Sequence, residues 1–408
     1  MQHNTSTRKF LTALLALLAV SVANADIEPA RLQAVEADLQ ARIDAGRLSG
    51  AVVMVAQDGE VLLQEALGYQ NVEEQLPMST DTIFRIFSMT KPVTGVALMM
   101  LHDEGKFELD DPLAQHLPEL SGLEVLVSTQ EDGSWETEPT DHAPTIRELM
   151  SHTGGFLYTP PLSQGPIAEA YAEAGIMDLA GHTLDESMPA LADIPLAYQP
   201  GTQWVYSISV DIQGWLIERL SGMGFDEFLQ QRLFDPLGMA DTGFYVEAEK
   251  APRLAAQYVP TDAGSLRRID DGSFLSPPKF LSGGGGLTST ASDYMKFARM
   301  LLNGGEFEGK RLLSEAAVEL MRTNQLADAV DDIGQLYRGN VFGLDFAIVE
   351  DSGAYQGAPP GTYWWWGIAG SWFWIDPVEE IIFIGMIQNG DIFYSLQTHA
   401  AARAAIYQ

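Results

Sequence analysis

Strand-like runs lie at both ends of this chain and helical patterns fill its middle, and no other feature constrains the fold as much. Residues 51–57 and 60–69 are apolar-rich runs split by Asp58-Gly59, a dipeptide suited to the mirror-image turn of a tight hairpin. Far along the chain, residues 342–349, 363–375 and 381–388 also read as strands, and 400–407 as a closing helix. Residues 27–45 carry helical periodicity with charges on one face. From about Ser88 to Leu237 the patterns are helical, clearest at 94–104, 211–221 and 225–234, and are joined by Pro- and Gly-marked loops. The expectation is an α+β fold, in which one antiparallel sheet formed from both chain ends is flanked by helices and carries an inserted helical subdomain. The sheet part would comprise 26–87 and about 280–408, the helical part about 88–280. A functional cleft is expected between them. The acidic, apolar-poor stretch 127–142 is expected to be an exposed loop, and the long mixed connection 156–196 is placed to cover the cleft.

The start of the chain is read as a targeting segment. Arg8 and Lys9 precede an apolar run over 10–20, too short to cross a bilayer as a helix. Ala23-Asn24-Ala25 then sets small residues where a signal peptidase reads. Residues 1–25 are expected to be a signal peptide cut after Ala25, leaving 26–408 as a periplasmic or secreted domain without stable membrane insertion. The chain has no cysteine, which excludes disulfides, thiolate zinc sites and cysteine nucleophiles. Its net charge of -33 repels nucleic acid and anionic lipid. No H-E-x-x-H or similar metal spacing and no G-x-S-x-G elbow occurs, so neither a metal nor another cofactor is expected.

Ser88-Met89-Thr90-Lys91, followed by Pro92 and an apolar helical pattern, is the strongest local signal. Positions three apart share a helix face, so the Ser88 hydroxyl and the Lys91 amine would sit side by side at a helix start. A serine hydroxyl is a poor nucleophile until something takes its proton. A lysine does so when burial or nearby positive charge favours its neutral form.

The segment Phe84-Arg85-Ile86-Phe87-Ser88-Met89-Thr90-Lys91-Pro92 resembles the nucleophile motif of the penicillin-recognising serine hydrolases, the serine beta-lactamase and penicillin-binding-protein superfamily. It is nearest the class C branch and its esterase relatives, the family VIII carboxylesterases. Residues 146–155 (from Ile146-Arg147-Glu148-Leu149 to Gly155), 199–207 (with Tyr206-Ser207), 234–239 and 283–293 resemble further family blocks in the same order. The resemblance therefore spans nearly the whole chain after the leader and implies the beta-lactamase/transpeptidase-like fold. It assigns Tyr206 the place of the family's tyrosine, which with Lys91 would serve as general base and acid for Ser88. A phenol beside a lysine ammonium would shed its proton more easily. The resemblance also implies an oxyanion hole from the N–H groups of Ser88 and Ile368.

The third motif departs from the beta-lactamases. Where they carry lysine, threonine and glycine, this chain has Trp365-Trp366-Gly367. Trp365 agrees with the esterase pattern, while Trp366 is unusual for both branches. Loss of the lysine removes the cation that holds a substrate carboxylate, on the order of a few kcal/mol of recognition. Trp364, Trp365, Trp366, Trp372 and Trp374 suggest an apolar or aromatic acyl or alcohol group instead, although side chains alternate along a strand and only about half of them can face the site. Gln388 falls near a polar position that contacts substrate in relatives. The glycines at 283–286 read as a close backbone approach beside the cleft, and His152 as a structural member of its block.

The expected function is a secreted serine hydrolase cleaving small-molecule carboxylic esters through an acyl-enzyme on Ser88. The alternatives are a beta-lactamase or D-alanyl-D-alanine carboxypeptidase, a transacylase, and a non-catalytic binding protein on the same scaffold.

Overall fold

Gly-Ala-Val-Val-Met-Val-Ala-Gln forms β1 (Gly50–Gln57), buried at every position in a computed structural model that describes residues 26–130, 132–261, 264–330 and 333–408. The expected leader, 1–25, lies outside the described residues. Asp58 and Gly59 both take positive φ, 50° and 79°, the geometry of a two-residue mirror-image turn, and return the chain into β2 (Glu60–Asn71) and the short β3 (Leu76–Pro77).

The sheet is completed from the other end of the chain by β4 (Asn340–Phe342), β5 (Ala347–Val349), β6 (Tyr363–Trp366), β7 (Trp372–Asp376) and β8 (Ile381–Met386). Its order is β4-β5-β6-β7-β8-β1-β2-β3, antiparallel throughout. The two chain ends meet where β8 pairs with β1, with Val52 opposite Met386.

Helices cover both faces. Along β7, Trp372 and Trp374 point to His399 and Tyr407 of α5 (Ile392–Tyr407), whereas Phe373 between them meets Tyr294 of α4 (Ala291–Leu302) with ring centroids 4.9 Å apart. Since neighbours on a strand face opposite ways, α4 and α5 lie on opposite sides of the sheet. The N-terminal helix α1 (Pro29–Asp44) packs against α5. The helical part is centred on α2 (Thr90–Asp103), buried from Thr90 to Leu101, which packs against α3 (Ser209–Ser221). Among the described residues no helix is long and apolar enough to cross a membrane.

Five local expectations are corrected. The runs 342–349 and 363–375 are each two strands, bent back at Gly343 to Phe346 and at Gly367 to Ser371. The bends use Asp345 at φ 63° and Gly370 at φ 91°, within stretches whose apolar content conceals them. The stretch 127–142 is no simple loop: Glu124–Thr129 and Trp135–Pro139 pair as a largely exposed hairpin. Its cross-strand contacts are polar, as between Ser128 and Glu136, so it carries no apolar alternation to read. The closing helix starts at Ile392, capped by the Asp391 carboxylate on the Tyr394 N–H, and 225–234 changes into a π-helical turn at Gln230–Phe234.

Candidate active site

Phe87 holds a left-handed backbone, φ 43°, which costs on the order of 1–3 kcal/mol outside glycine. It opens a single 3-10 turn, Phe87–Met89, that carries half-buried Ser88 and runs straight into α2. Lys91, in the first turn of α2, has no solvent exposure. Its Nζ donates to Ser88 Oγ at 3.3 Å and to the Gly284 carbonyl at 2.5 Å, and lies 4.5 Å from the Tyr206 ring centroid. Burial pulls the Lys91 ammonium down to about 7, against the opposing pull of Asp211 and Asp345.

The glycine run makes this approach possible. A Cβ on Gly283 would stand 2.4 Å from the Val210 carbonyl, so only glycine lets the strip holding the Gly284 carbonyl lie against α3. Asp211, in the first turn of α3, accepts from the Ser282 hydroxyl at 2.6 Å and from the Gly284 N–H at 3.0 Å. Asp345 accepts from Gln213 Nε2 at 3.1 Å, and its Oδ2 lies where a Cβ on Gly95, one turn beyond Lys91, would come within 2.5 Å. Burial raises both carboxyls, Asp345 strongly, and neither Oδ2 has a hydrogen-bond partner.

Tyr206 arrives on the segment before α3. Its hydroxyl stands in hydrogen-bonding reach of Ser88 and of the Tyr158 hydroxyl and receives the Trp365 indole N–H at 3.4 Å. Burial pushes this phenol above its ordinary range, the reverse of the easier ionisation expected beside a lysine. The two groups are thus shifted in opposite directions, the phenol away from ionisation and the Lys91 amine towards its neutral form. His152 is buried against the Tyr206 ring, 4.9 Å between centroids, and is held by Ser207 Oγ at 3.1 Å. Burial pushes it well below the ordinary histidine range, so it is a neutral packing partner.

The remaining expected residues divide. Gly367, at the end of β6, lies so near the nucleophile turn that a Cβ there would sit 2.3 Å from the Ile86 carbonyl; this sets the 367–368 peptide beside Ser88. Trp365 is packed between Tyr206, Tyr337 and Phe342 and is only 1% exposed. It acts more as a donor to Tyr206 than as open wall. Trp366 reaches the cavity edge from the opposite face, near His399. Trp364, Trp372 and Trp374 pack on the α5 side of the sheet. Gln388 is corrected: it is buried, its Nε2 donates to the Arg85 and Ile387 carbonyls at 3.0 and 2.9 Å, and it stands off the cavity wall as a brace for the strand before the nucleophile.

Ser88 and Tyr206 open into a cavity of about 670 Å³. Its wall is apolar and aromatic, including Phe87, Tyr158, Phe244, Phe274, Phe280 and Tyr337, and the connection 156–196 covers it with Leu162, Met177 and Leu179. Among the described residues no lysine or arginine lines it, and Asp271 is the charged side chain on its wall. No group of three or more His, Asp or Glu side chains able to hold a metal is found among the described residues. Sequence reasoning missed Tyr158, Asp211 and Asp345. Asp211 stands out only as an acid inside a buried helix, and Tyr158 and Asp345 carry no local signal, because what matters is their meeting with Lys91 across distant segments.

Comparison with known proteins identifies the family and the fold. The Beta-lactamase family model matches residues 33–406. The chain is 38% identical over 366 residues to Protein Rv1367c of Mycobacterium tuberculosis, covering 87% of this chain and 89% of that one. It is 31% identical over 377 residues to Esterase EstB of Burkholderia gladioli, covering 86% and 90%. The solved structure of EstCE1, described as a hydrolase with promiscuous acyltransferase activity, superposes with a TM-score of 0.78 at 27% identity over 93% of this chain and 99% of that one. The chain belongs to the Beta-lactamase family and is a serine hydrolase of that fold.

Proposed function

We propose that this chain hydrolyses uncharged carboxylic esters through an acyl-enzyme on Ser88. The observation that carries the reading is the cavity beside Ser88, apolar along most of its wall and without a lysine or arginine. A substrate carboxylate entering it would be desolvated without a cation to pair with, which is strongly unfavourable. A neutral ester buries its apolar arms there at a gain of about 25 cal/mol per Å².

In the mechanism we propose, Lys91 Nζ, 3.3 Å from Ser88 Oγ, takes the serine proton as the oxygen attacks the ester carbonyl. The N–H groups of Ser88 and Ile368 receive the oxyanion. As the intermediate collapses, the ester C–O bond breaks and the proton passes through the Tyr206 hydroxyl to the leaving alkoxide. Water, deprotonated by the same lysine, then attacks the acyl-enzyme; the acid leaves and Ser88 recovers its proton. An alcohol taking the place of that water would give acyl transfer. Export with cleavage after Ala25 completes the proposal.

The test is hydrolysis of p-nitrophenyl esters by the purified protein beside Ser88→Ala, with thermal unfolding confirming that both are folded. Hydrolysis that vanishes in Ser88→Ala, with a fluorophosphonate probe attached at Ser88, supports the proposal. Folded protein that turns over no ester, or a chromogenic cephalosporin cleaved faster than any ester, overturns it.

A further inference from the structure

Fourteen large apolar side chains are exposed among the described residues, and four of them line the cavity beside Ser88. Leu162, Leu179, Leu336 and Ile368 line the cavity beside Ser88 and are exposed at the same time. Leu275 stands between the lining residues Phe274 and Ser276, and Phe393 directly follows the lining residue Ile392 at the start of α5. Their exposures run from 37% for Ile368 to 72% for Phe393. They come from five separate parts of the chain: the covering connection, the loop before the glycine run, the loop before β4, the β6–β7 turn and the α5 start. Apolar surface therefore continues from the cavity wall out onto the rim. Scattered exposed apolar residues need no explanation, but a contiguous set does.

We propose that this rim binds the outer part of an apolar ester arm too long for the cavity, so that the enzyme selects uncharged esters with long hydrocarbon chains. The inference rests on the ester reading above and deepens it. Continuity with the cavity favours a substrate arm, because the same four side chains serve as wall and as rim. Charge argues against the other occupants. Two copies of a chain of net charge -33 repel each other, and an anionic lipid surface is repelled in the same way. Asp271 at the wall likewise opposes a charged chain end and favours departure of the product carboxylate.

The test compares kcat/KM for p-nitrophenyl butanoate and p-nitrophenyl dodecanoate, both below the concentrations at which they aggregate, in wild type and in the double variant Leu162→Ser, Leu336→Ser, two exposed residues of the cavity lining. Both positions are exposed, and thermal unfolding checks the fold. The expected result is a wild type that prefers the dodecanoate and a variant whose dodecanoate-to-butanoate ratio falls by about tenfold, the loss of roughly 55 Å² of apolar contact at about 25 cal/mol per Å². A ratio that stays within about twofold of wild type overturns the proposal, as does a wild type that prefers the short ester. A wild-type dimer in sedimentation that the variant dissociates assigns the rim to a second copy and also overturns it. Failure to hydrolyse either ester is a different result: it removes the ester reading itself.

Discussion

Lys91 is tied to Gly284: its Nζ donates to that backbone carbonyl at 2.5 Å while facing Ser88 Oγ at 3.3 Å. The carbonyl fixes the direction of the amine but brings no formal charge. Burial is thus free to draw the ammonium down to about 7, where an amine can exchange a proton with a serine hydroxyl at neutral pH.

The pH dependence follows with a definite sign. Only the neutral amine can accept the Ser88 proton, so kcat/KM is expected to rise with pH through about 7. For stability, the unfolded lysine keeps its ordinary 10.5 and binds a proton that the folded one has lost between about 7 and 10.5. The unfolding free energy therefore gains from this group as pH rises across that window, and below about 7 its full burial penalty is present. Lys91→Met is expected to be inactive yet to unfold at a higher temperature than wild type at pH 6. Stopped-flow rates across pH and calorimetry check both; a flat rate profile between about pH 6 and 8 would contradict the assignment.

Trp365→Phe removes the indole N–H that reaches the Tyr206 hydroxyl at 3.4 Å but keeps a ring against Tyr337. Losing one such bond should lower kcat by about fivefold to tenfold with KM little changed. A change in KM alone would show that Trp365 serves the substrate and not Tyr206.

Gly367→Ala places a methyl 2.3 Å from the Ile86 carbonyl. Strand β6 must then move away from the nucleophile turn and take the Ile368 N–H with it. We expect kcat to fall by about 10²-fold, the scale of losing one oxyanion donor. Unaltered kcat would separate this peptide from the reacting oxygen.

Asp345 combines complete burial, a φ of 63° and a carboxyl that burial raises well above its ordinary range. Asn tolerates that backbone and keeps an oxygen to accept from the Gln213 amide, so Asp345→Asn should retain stability within about 1 kcal/mol and activity within about threefold. Asp345→Leu adds backbone strain and removes the acceptor of the Gln213 amide; a loss of about 2–4 kcal/mol in urea unfolding is expected. Equal behaviour of the two variants would mean that neither the backbone nor the bond matters.

The sequence determined the local chemistry and the general architecture. A serine and a lysine three residues apart before an apolar helix run must meet, because one helical turn brings them together whatever surrounds it. The hairpin at Asp58-Gly59 and the sheet built from both chain ends were legible for the same reason: short-range pattern dictates strands and turns. Tertiary structure decided the rest. It split 342–349 and 363–375 into hairpins, withdrew Gln388 from the cavity, packed Trp365 onto Tyr206, and set Asp211 and Asp345 behind Lys91. Above all it decided that Lys91 gives up its proton near neutrality while Tyr206 keeps its own, because desolvation depends on how much water distant segments exclude, a quantity no local run of residues contains.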